Sequence, residues 1–158
     1  MRAVSPPVDD RASSWEGLYM EGKAPRRTAQ RILDVALDLC NRLGTTQVSS
    51  TRIAAEMRIS PGNLYYHYNS KDALIATLLD KHQLALQEHL KSCDLVRDLP
   101  QTALFLQQLQ RLIWRFRFLY RDLNHLLTDS PQLATQVQAV LGLQKAALLD
   151  ILQGLARN

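Results

Sequence analysis

Apolar residues recur at helical spacing along most of the chain, and this pattern predicts a protein built from α-helices. The first repeat lies between positions 32 and 43, after an entrance marked by Pro25. A longer repeat begins near Lys71 and runs to about position 92, and two more begin near Pro100 and Pro131. No run of alternating β-branched residues indicates a sheet. The expected fold class is therefore all-α.

The second half of the chain is predicted to hold three helices. The helix that begins at Pro100 carries apolar residues on one side, which include Leu104, Phe105 and Leu109. A shorter helix is predicted through positions 119–127, and Thr128-Asp129-Ser130-Pro131 then interrupts the pattern. In the last helix, Leu141, Leu148 and Leu152 are predicted to form an uncovered apolar face.

Residues 50–71 predict two short helices joined by a tight turn. Ser50 is the predicted N-cap of the first helix. Ser60 is the predicted N-cap of the second, and Pro61 follows at the first helical position, where its missing N–H is not needed. Leu64 and Tyr68 lie four residues apart and are predicted to face the core. This spacing is typical of a helix-turn-helix, whose second helix enters the DNA major groove.

The remaining side chains of this motif suit contact with DNA. The amide of Asn63 can pair with adenine through a donor and an acceptor together, while Gly62 allows the backbone to come close. Phenol, imidazole and ammonium groups nearby can contact phosphates. The predicted DNA-binding residues are Ser50, Thr51, Arg52, Pro61, Gly62, Asn63, Tyr65, Tyr66, His67 and Lys71. As an alternative, Tyr65 or Tyr66 packs in the core.

Charge and composition support this interpretation only weakly. The net charge of +4 is small for 158 residues, so charge alone does not identify a DNA-binding protein. The N-terminus lacks the apolar stretch of a signal peptide, and no apolar run has the length needed to cross a bilayer. We therefore expect a cytoplasmic protein that does not associate with membranes.

Taken in order, these motifs resemble the TetR family of bacterial transcriptional regulators, of the TetR/AcrR type. The resemblance covers roughly residues 28–82 and departs at Arg58, where the family usually has glycine. The matching segments are Ile32–Leu39, Leu43-Gly44, Ile53-Ala54, Ile59-Ser60, Leu64–Tyr68 and Ser70–Leu74. The resemblance implies a homodimer that binds a double-stranded DNA operator, and a helical body that binds a small apolar or amphipathic effector.

The expected domain organisation follows from this resemblance. Residues 1–24 are predicted to be a flexible N-terminal extension, residues 25–82 a TetR-type helix-turn-helix domain, and residues 83–158 a helical regulatory body. The chain ends about where the usual pair of dimerising helices would begin, so we expect the body to be C-terminally truncated. The homodimer is then predicted to be weak or non-standard and to use the apolar face of the last helix.

Aromatic and basic residues alternate between positions 114 and 121. On one continuous helix, Trp114 and Phe118 would share a face. The family resemblance favours an effector pocket, with Trp114, Phe118, Tyr120 and His125 as its predicted lining. The residues themselves favour a different interpretation, an aromatic core stripe with a solvated basic face, and the pocket is its main alternative. A site for single-stranded nucleic acid is a further alternative.

Neither a metal nor a catalytic centre is predicted. His82, His89 and Cys93 share one helical face but lack a fourth ligand at local spacing, so we expect no metal and no cofactor. The motifs of phosphate loops and nucleophile elbows are missing, so we do not expect an enzyme. The predicted function is a sequence-specific regulator, a repressor released by a small molecule. The alternative is a truncated, non-DNA-binding interaction protein of the same family.

Overall fold

A computed structural model of the protein describes residues 24–91 and 98–156, and within these ranges no strand occurs. This confirms the predicted all-α class, while the predicted flexible extension lies outside the described residues apart from its last position. The elements are α1 (Ala24–Leu43), a 3₁₀ turn (Thr45–Gln47), α2 (Ser50–Met57), α3 (Pro61–His67), α4 (Lys71–Leu90), α5 (Leu99–Arg115), α6 (Arg117–Arg121), α7 (Leu123–Asp129) and α8 (Pro131–Ala156).

Side-chain caps fix the starts of several helices. The Oγ atom of Ser60 accepts from the Asn63 N–H at 3.2 Å, as predicted for the start of α3. The predicted N-cap of α2 is wrong by one residue, because Ser49 accepts from the Arg52 N–H at 3.2 Å and Ser50 is already helical. Ser49 has the extended backbone that an N-cap needs, with φ −125° and ψ 158°.

The core is continuous from the N-terminal helices into the body. One face of α1 packs against α2 and α4, and α4 also packs against α5 and α8. The side chains of Ile32, Ile53 and Leu64 are buried where α1, α2 and α3 meet. Along α4, Leu74 and Leu86 are buried at opposite ends of the helix. Helix α4 is therefore the element shared by the helix-turn-helix and the body.

The segment around Phe116 differs from the prediction. Helix α5 ends at Arg115, and Phe116 has φ −113° and ψ 33°, which stops the helix before α6 begins. Trp114 on α5 is consequently 68% exposed, whereas Phe118 on α6 is fully buried, so the two do not share a face. The single short helix predicted for positions 119–127 is two helices, because the chain bends again at Asp122.

A hydrogen-bonded contact joins the end of α1 to α6. The Asn41 side chain donates to the Arg115 carbonyl at 2.9 Å and accepts from the Phe118 N–H at 3.1 Å. Arg121 donates to the carbonyls of Cys40 at 2.6 Å and Asn41 at 3.0 Å. We call the side chains of Asn41, Arg121 and Asp122 the α1–α6 clasp.

Asp122 completes the clasp. Its Oδ2 atom accepts from the Thr45 N–H at 2.6 Å, and its Oδ1 atom accepts from the Arg121 Nε–H at 3.0 Å. Burial raises the pKa of this carboxyl, but the hydrogen bonds from Arg121 and Thr45 outweigh burial, and the net pKa is lowered. The carboxyl therefore stays ionised at neutral pH.

Exposed leucines occur on two helices of the body. Leu148 and Leu152 on α8 are exposed, as predicted, while Leu141 is half-buried. Leu104 was predicted on the apolar side of α5 and is instead 56% exposed, because Phe105 and Leu109 are the residues that α5 turns inward. In the part of the chain that the structure describes, no helix has a stretch long and apolar enough to cross a bilayer.

A buried histidine links α4 to α6 and α8. The Nε2 atom of His82 lies 2.9 Å from the Tyr120 hydroxyl, to which the Gln144 amide also donates. The imidazole packs on the Phe116 ring at a centroid distance of 4.7 Å, and its Nδ1 atom has no hydrogen-bond partner among the described residues. Burial lowers the pKa of His82 to about 4, so the ring is neutral in the folded protein at pH 7.

We predict that His82 makes the protein lose stability as the pH falls from about 6.5, the ordinary histidine pKa, toward about 4. In this window the unfolded chain binds a proton that the folded chain does not, so acid favours unfolding. Replacement of His82 by Gln keeps a polar side chain but removes the titration. In urea unfolding between pH 4 and 8, the free energy of unfolding of H82Q should therefore depend less steeply on pH than that of the wild-type protein.

The control is His67→Gln, which removes a half-buried histidine from α3. H67Q shows how much of any flattening comes from the loss of a histidine as such rather than from the His82 site. Equal slopes for wild-type, H82Q and H67Q proteins would contradict a neutral, buried His82.

Candidate nucleic-acid interface

The turn between α2 and α3 depends on a left-handed residue. Arg58 has φ 55° and ψ 42°, and it is the only non-glycine residue with positive φ in the described part of the chain. This backbone lets the Arg58 N–H bond to the Ala55 carbonyl at 3.1 Å and the Ile59 N–H bond to the Ala54 carbonyl at 3.0 Å. Glycine would adopt the conformation without strain, whereas Arg58 costs about 1 kcal/mol and adds an exposed cation to the motif.

Two residues anchor α3 to the rest of the module, as predicted. Leu64 is fully buried. Tyr68 follows the last helical residue, and its hydroxyl donates to the Ala29 carbonyl of α1 at 3.4 Å. The Tyr68 N–H closes the helix by donating to the Leu64 carbonyl at 2.9 Å. Helix α3 is therefore attached along one side only.

The other side of α3 faces solvent. The side chains of Asn63, Tyr65 and Tyr66 are exposed, and the two tyrosines are 50% and 81% exposed respectively. The alternative that Tyr65 or Tyr66 packs in the core is thus not what the structure shows. The half-buried His67 ring lies edge-to-face against Tyr66 at 5.1 Å between centroids.

Gly62 and Pro61 are also exposed at the start of α3. A Cβ atom built at Gly62 would meet no atom within 4 Å. Packing within the protein therefore gives no reason for glycine at this position. The space beside this backbone position is open.

The start of α2 lies in the same motif and offers further polar groups. Thr51 and Arg52 are exposed and Ser50 is half-buried. The Thr51 hydroxyl lies 2.9 Å from the Ser49 hydroxyl that caps the helix. The unpaired N–H groups and positive dipole end of a helix start favour a phosphate, and Arg52 adds a full positive charge.

Lys71 occupies a different environment from the other predicted DNA-binding residues. It is the first residue of α4 and is half-buried, and its ammonium donates to the Thr45 carbonyl at 2.9 Å. This bond ties the 3₁₀ turn to α4. An ammonium has three donors, so this bond does not use up its capacity to contact a phosphate, but loss of Lys71 would also disturb the fold.

The predicted effector residues do not surround one described cavity. Trp114 is largely exposed, Phe118 is fully buried, and Tyr120 is bonded to His82. His125 is half-buried on α7. An open groove of about 320 Å³ on α5 is lined by Gln110, Arg111, Trp114 and Arg115, so Trp114 alone of the four borders it.

A second cavity, which the sequence analysis missed, lies between α1, α4 and the end of α5. It has a volume of about 210 Å³. No sequence signal pointed to it, because its lining comes from three helices and consists of ordinary leucine and charged positions.

No metal centre forms among the described residues. No group of three or more potential His, Cys, Asp or Glu ligands meets there, and Cys93 lies outside the described residues. His82 and His89 are separated in their contacts, because His89 stacks on the Phe105 ring at 4.4 Å while His82 packs on Phe116. Cys40 is buried, and burial raises the pKa of its thiol to about 12, which keeps it protonated.

Comparisons with known proteins bear on both halves of the chain. Residues 32–78 match the model of bacterial regulatory proteins of the tetR family, and residues 81–158 match a TetR model described as a bacterial transcriptional repressor. A search of curated proteins gives no match.

Two solved structures are similar. A TetR-family transcriptional regulator from Marinobacter aquaeolei VT8 is 30% identical, with a TM-score of 0.73, over 82% of this chain and 64% of its own. The chain therefore spans less than two thirds of that protein's length. A transcriptional regulator of the TerR/AcrR family from Aquifex aeolicus VF5 is 20% identical over 83% of this chain and 72% of its own, with a TM-score of 0.58, and shows similarity of fold. Both family models, the Marinobacter structure and the helix-turn-helix geometry agree that the chain belongs to the TetR family of bacterial transcriptional regulators.

Proposed function

We propose that this protein is a sequence-specific DNA-binding transcriptional regulator whose helix α3 reads the major groove. The observation that carries the proposal is the exposed side of α3. Asn63, Tyr65 and Tyr66 point away from the core, while Leu64 holds the helix in place from the other side. Exposed aromatic rings next to a polar amide favour a partner that covers them, and a DNA groove offers both thymine methyl groups and base edges.

The proposed roles divide between reading bases and holding phosphates. In this proposal Asn63 pairs with adenine, and Gly62 lets the α3 backbone approach the DNA closely. Tyr65 contacts a thymine methyl group or a phosphate in this proposal, and the remaining groups set the register on the DNA backbone. The residues proposed for backbone contact are Ser50, Thr51, Arg52, Pro61, Tyr66, His67 and Lys71.

We also propose that residues 25–82 form the DNA-binding domain and residues 83–158 the regulatory body. The two family models support this division, since one ends at residue 78 and the other begins at residue 81. Helix α4 crosses the boundary and packs against α1 on one side and α8 on the other. A conformational change in the body can therefore reach the DNA-binding domain through α4.

The proposed mode of action is repression that a small apolar or amphipathic effector relieves. The match of the body to a transcriptional repressor model supports the repressor role. We further propose a homodimer, because two-fold symmetry places two reading helices about one helical turn of DNA apart and doubles the phosphate contacts. The exposed Leu148 and Leu152 of α8 offer an apolar surface for such an association.

Selection from a random pool of duplex DNA tests the proposal without knowledge of the operator. We expect the purified protein to enrich two-fold symmetric sites with half-sites about 10 base pairs apart. With the enriched duplex, Asn63→Ala should cost about 1–3 kcal/mol of binding free energy and relax the preference at one base position. The same substitution at the exposed Asn124 of α7 serves as the control and should leave DNA binding unchanged.

Failure to enrich any sequence would contradict the proposal and favour the alternative of an interaction protein that does not bind DNA. Equal DNA affinities of N63A and N124A, with wild-type circular dichroism, would show that α3 is not the reader. Enriched sites without two-fold symmetry would contradict the proposed dimer.

A pair of glycines separates the effect of DNA proximity from effects on folding. Gly62 and Gly142 both lie in exposed helical positions, and a Cβ atom at either would meet no atom within 4 Å. Replacement by alanine should therefore preserve the fold, with a gain of up to about 0.5–1 kcal/mol in helix stability that is smaller near the helix end. Only Gly62→Ala should weaken DNA binding, because the new methyl group stands where the DNA approaches.

Urea unfolding and titration with the enriched duplex measure the two effects separately. Wild-type DNA affinity in both G62A and G142A would show that the start of α3 does not approach DNA closely. A loss of DNA affinity in G142A would show that α8 also contributes to DNA binding.

A further inference from the structure

The cavity of about 210 Å³ between α1, α4 and the end of α5 bridges the DNA-binding helices and the body. Its floor is apolar and comes from α1, α4 and the residue that follows α5. We call it the junction cavity, and its apolar lining consists of Leu33, Leu37, Leu78, Ala85 and Phe116. Leu33, Leu78 and Phe116 are buried, so the half-buried Leu37 and Ala85 are the lining residues with accessible apolar surface.

The rim of the junction cavity is polar and already ordered on one side. The Lys81 ammonium donates to the side-chain carbonyl oxygen of Gln30 at 2.8 Å, and the Gln30 amide donates to Asp34 at 2.7 Å. This chain of bonds holds the three side chains together across α1 and α4. Both polar groups of the Gln30 side chain and one carboxylate oxygen of Asp34 are therefore already hydrogen-bonded.

Arg115 stands on the other side of the rim. Its guanidinium lies 5.7 Å from the centroid of the Phe116 ring and forms no hydrogen bond with another described residue. The Arg115 side chain is exposed, but its backbone carbonyl is held by Asn41. With Lys81 and Arg115 against Asp34, the rim carries one positive charge in excess.

We propose that the junction cavity binds a small amphipathic monocarboxylate. The apolar tail would lie against Leu37 and Ala85, and the carboxylate would pair with Arg115, whose planar guanidinium matches a carboxylate in a bidentate geometry. The cavity is smaller than the roughly 300–1,000 Å³ typical of drug-sized ligands. It holds the volume of about seven water molecules, which suits a short aliphatic acid.

Occupancy of this cavity bears on DNA binding, in a step that rests on the proposed function. The ligand would touch α1, which belongs to the DNA-binding domain, together with α4 and the end of α5. Arg115 and Phe116 adjoin the Asn41 contact of the α1–α6 clasp. A ligand that prefers one arrangement of α1 against the body changes DNA affinity, and DNA changes ligand affinity by the same factor.

Hexanoate is the probe, and the first measurement uses the full chain without DNA. We expect hexanoate to raise the melting temperature with the logarithm of its concentration, and hexanol and hexylamine to do so far less. Calorimetric titration should give a hexanoate Kd that Arg115→Gln weakens by about tenfold or more, since it removes a charge-assisted bidentate pair. Ala85→Leu, which fills the floor, should abolish binding.

Arg111→Gln is the matched control, because Arg111 lies one helical turn before Arg115, is exposed, and does not line the junction cavity. R111Q should bind hexanoate as the wild-type protein does. Arg115→Gln leaves intact the backbone carbonyl that Asn41 uses, so loss of binding in R115Q with a wild-type melting temperature is not a folding effect.

Three results would overturn the proposed site. They are the absence of any hexanoate-dependent shift up to millimolar concentration, equal binding of hexanol and hexanoate, and equal hexanoate affinities of R115Q and R111Q. The regulatory step is tested separately with the enriched duplex. Hexanoate should change the DNA affinity of the wild-type and R111Q proteins but not of R115Q.

Hexanoate binding without an effect on DNA affinity would overturn the regulatory step and leave the site standing. A protein that binds hexanoate as described but enriches no duplex would overturn the proposed function instead.

Discussion

The last carbonyl groups of an α-helix have no partner within the helix, and in this protein α6 supplies the donors for those of α1. Arg121 donates to the carbonyls of Cys40 and Asn41, while the Asp122 carboxylate accepts the N–H of Thr45 just beyond the helix. Lys71 then donates to the Thr45 carbonyl from the start of α4. The body, the end of α1 and the start of α4 are thereby fixed to one another at a single place. Gly44 fits there because its φ of 93° suits glycine and because a Cβ would contact Arg121 and Asp122 at 3.4 Å.

The candidate DNA surface depends on this arrangement. Helix α2 packs on α1 and α3 packs on α2, while Tyr68, just after α3, donates to the Ala29 carbonyl of α1, so the direction of the exposed side of α3 follows from the position of α1. The junction cavity borders the same contact through Arg115, whose carbonyl binds Asn41. The α1–α6 clasp and the cavity that we propose as a ligand site are thus neighbours, and α1 belongs to both.

The sequence predicted the local features well, because their signals are short in range. Ser60 and Pro61 mark the start of α3, and the spacing of Leu64 and Tyr68 identifies its packed side without any knowledge of the partner. Two adjacent serines, by contrast, gave no way to choose the cap of α2, and the backbone of Ser49 decides it.

The clasp could not be predicted, because Asn41 and Phe118 lie 77 residues apart in the sequence. In the sequence alone, Asn41 is an ordinary polar residue on a helix. The break at Phe116 was missed for the same reason, because the hydrogen bonds of Asn41 on both sides of it come from a distant helix. This break places Trp114 and Phe118 on separate helices. The four predicted effector residues therefore do not line one described cavity.

Hydrogen exchange at the end of α1 tests most directly whether α6 holds α1, and with it the helix-turn-helix, in place. Arg121→Met removes two charge-assisted hydrogen bonds made by a partly exposed side chain, and a loss of about 1.4 kcal/mol or more should make the amides of residues 44–48 exchange about tenfold faster or more. Arg117→Met is the control, because Arg117 donates only to the nearby Trp114 carbonyl at 3.3 Å among the described residues. Wild-type exchange in R121M, or the same acceleration in R117M, would contradict the account.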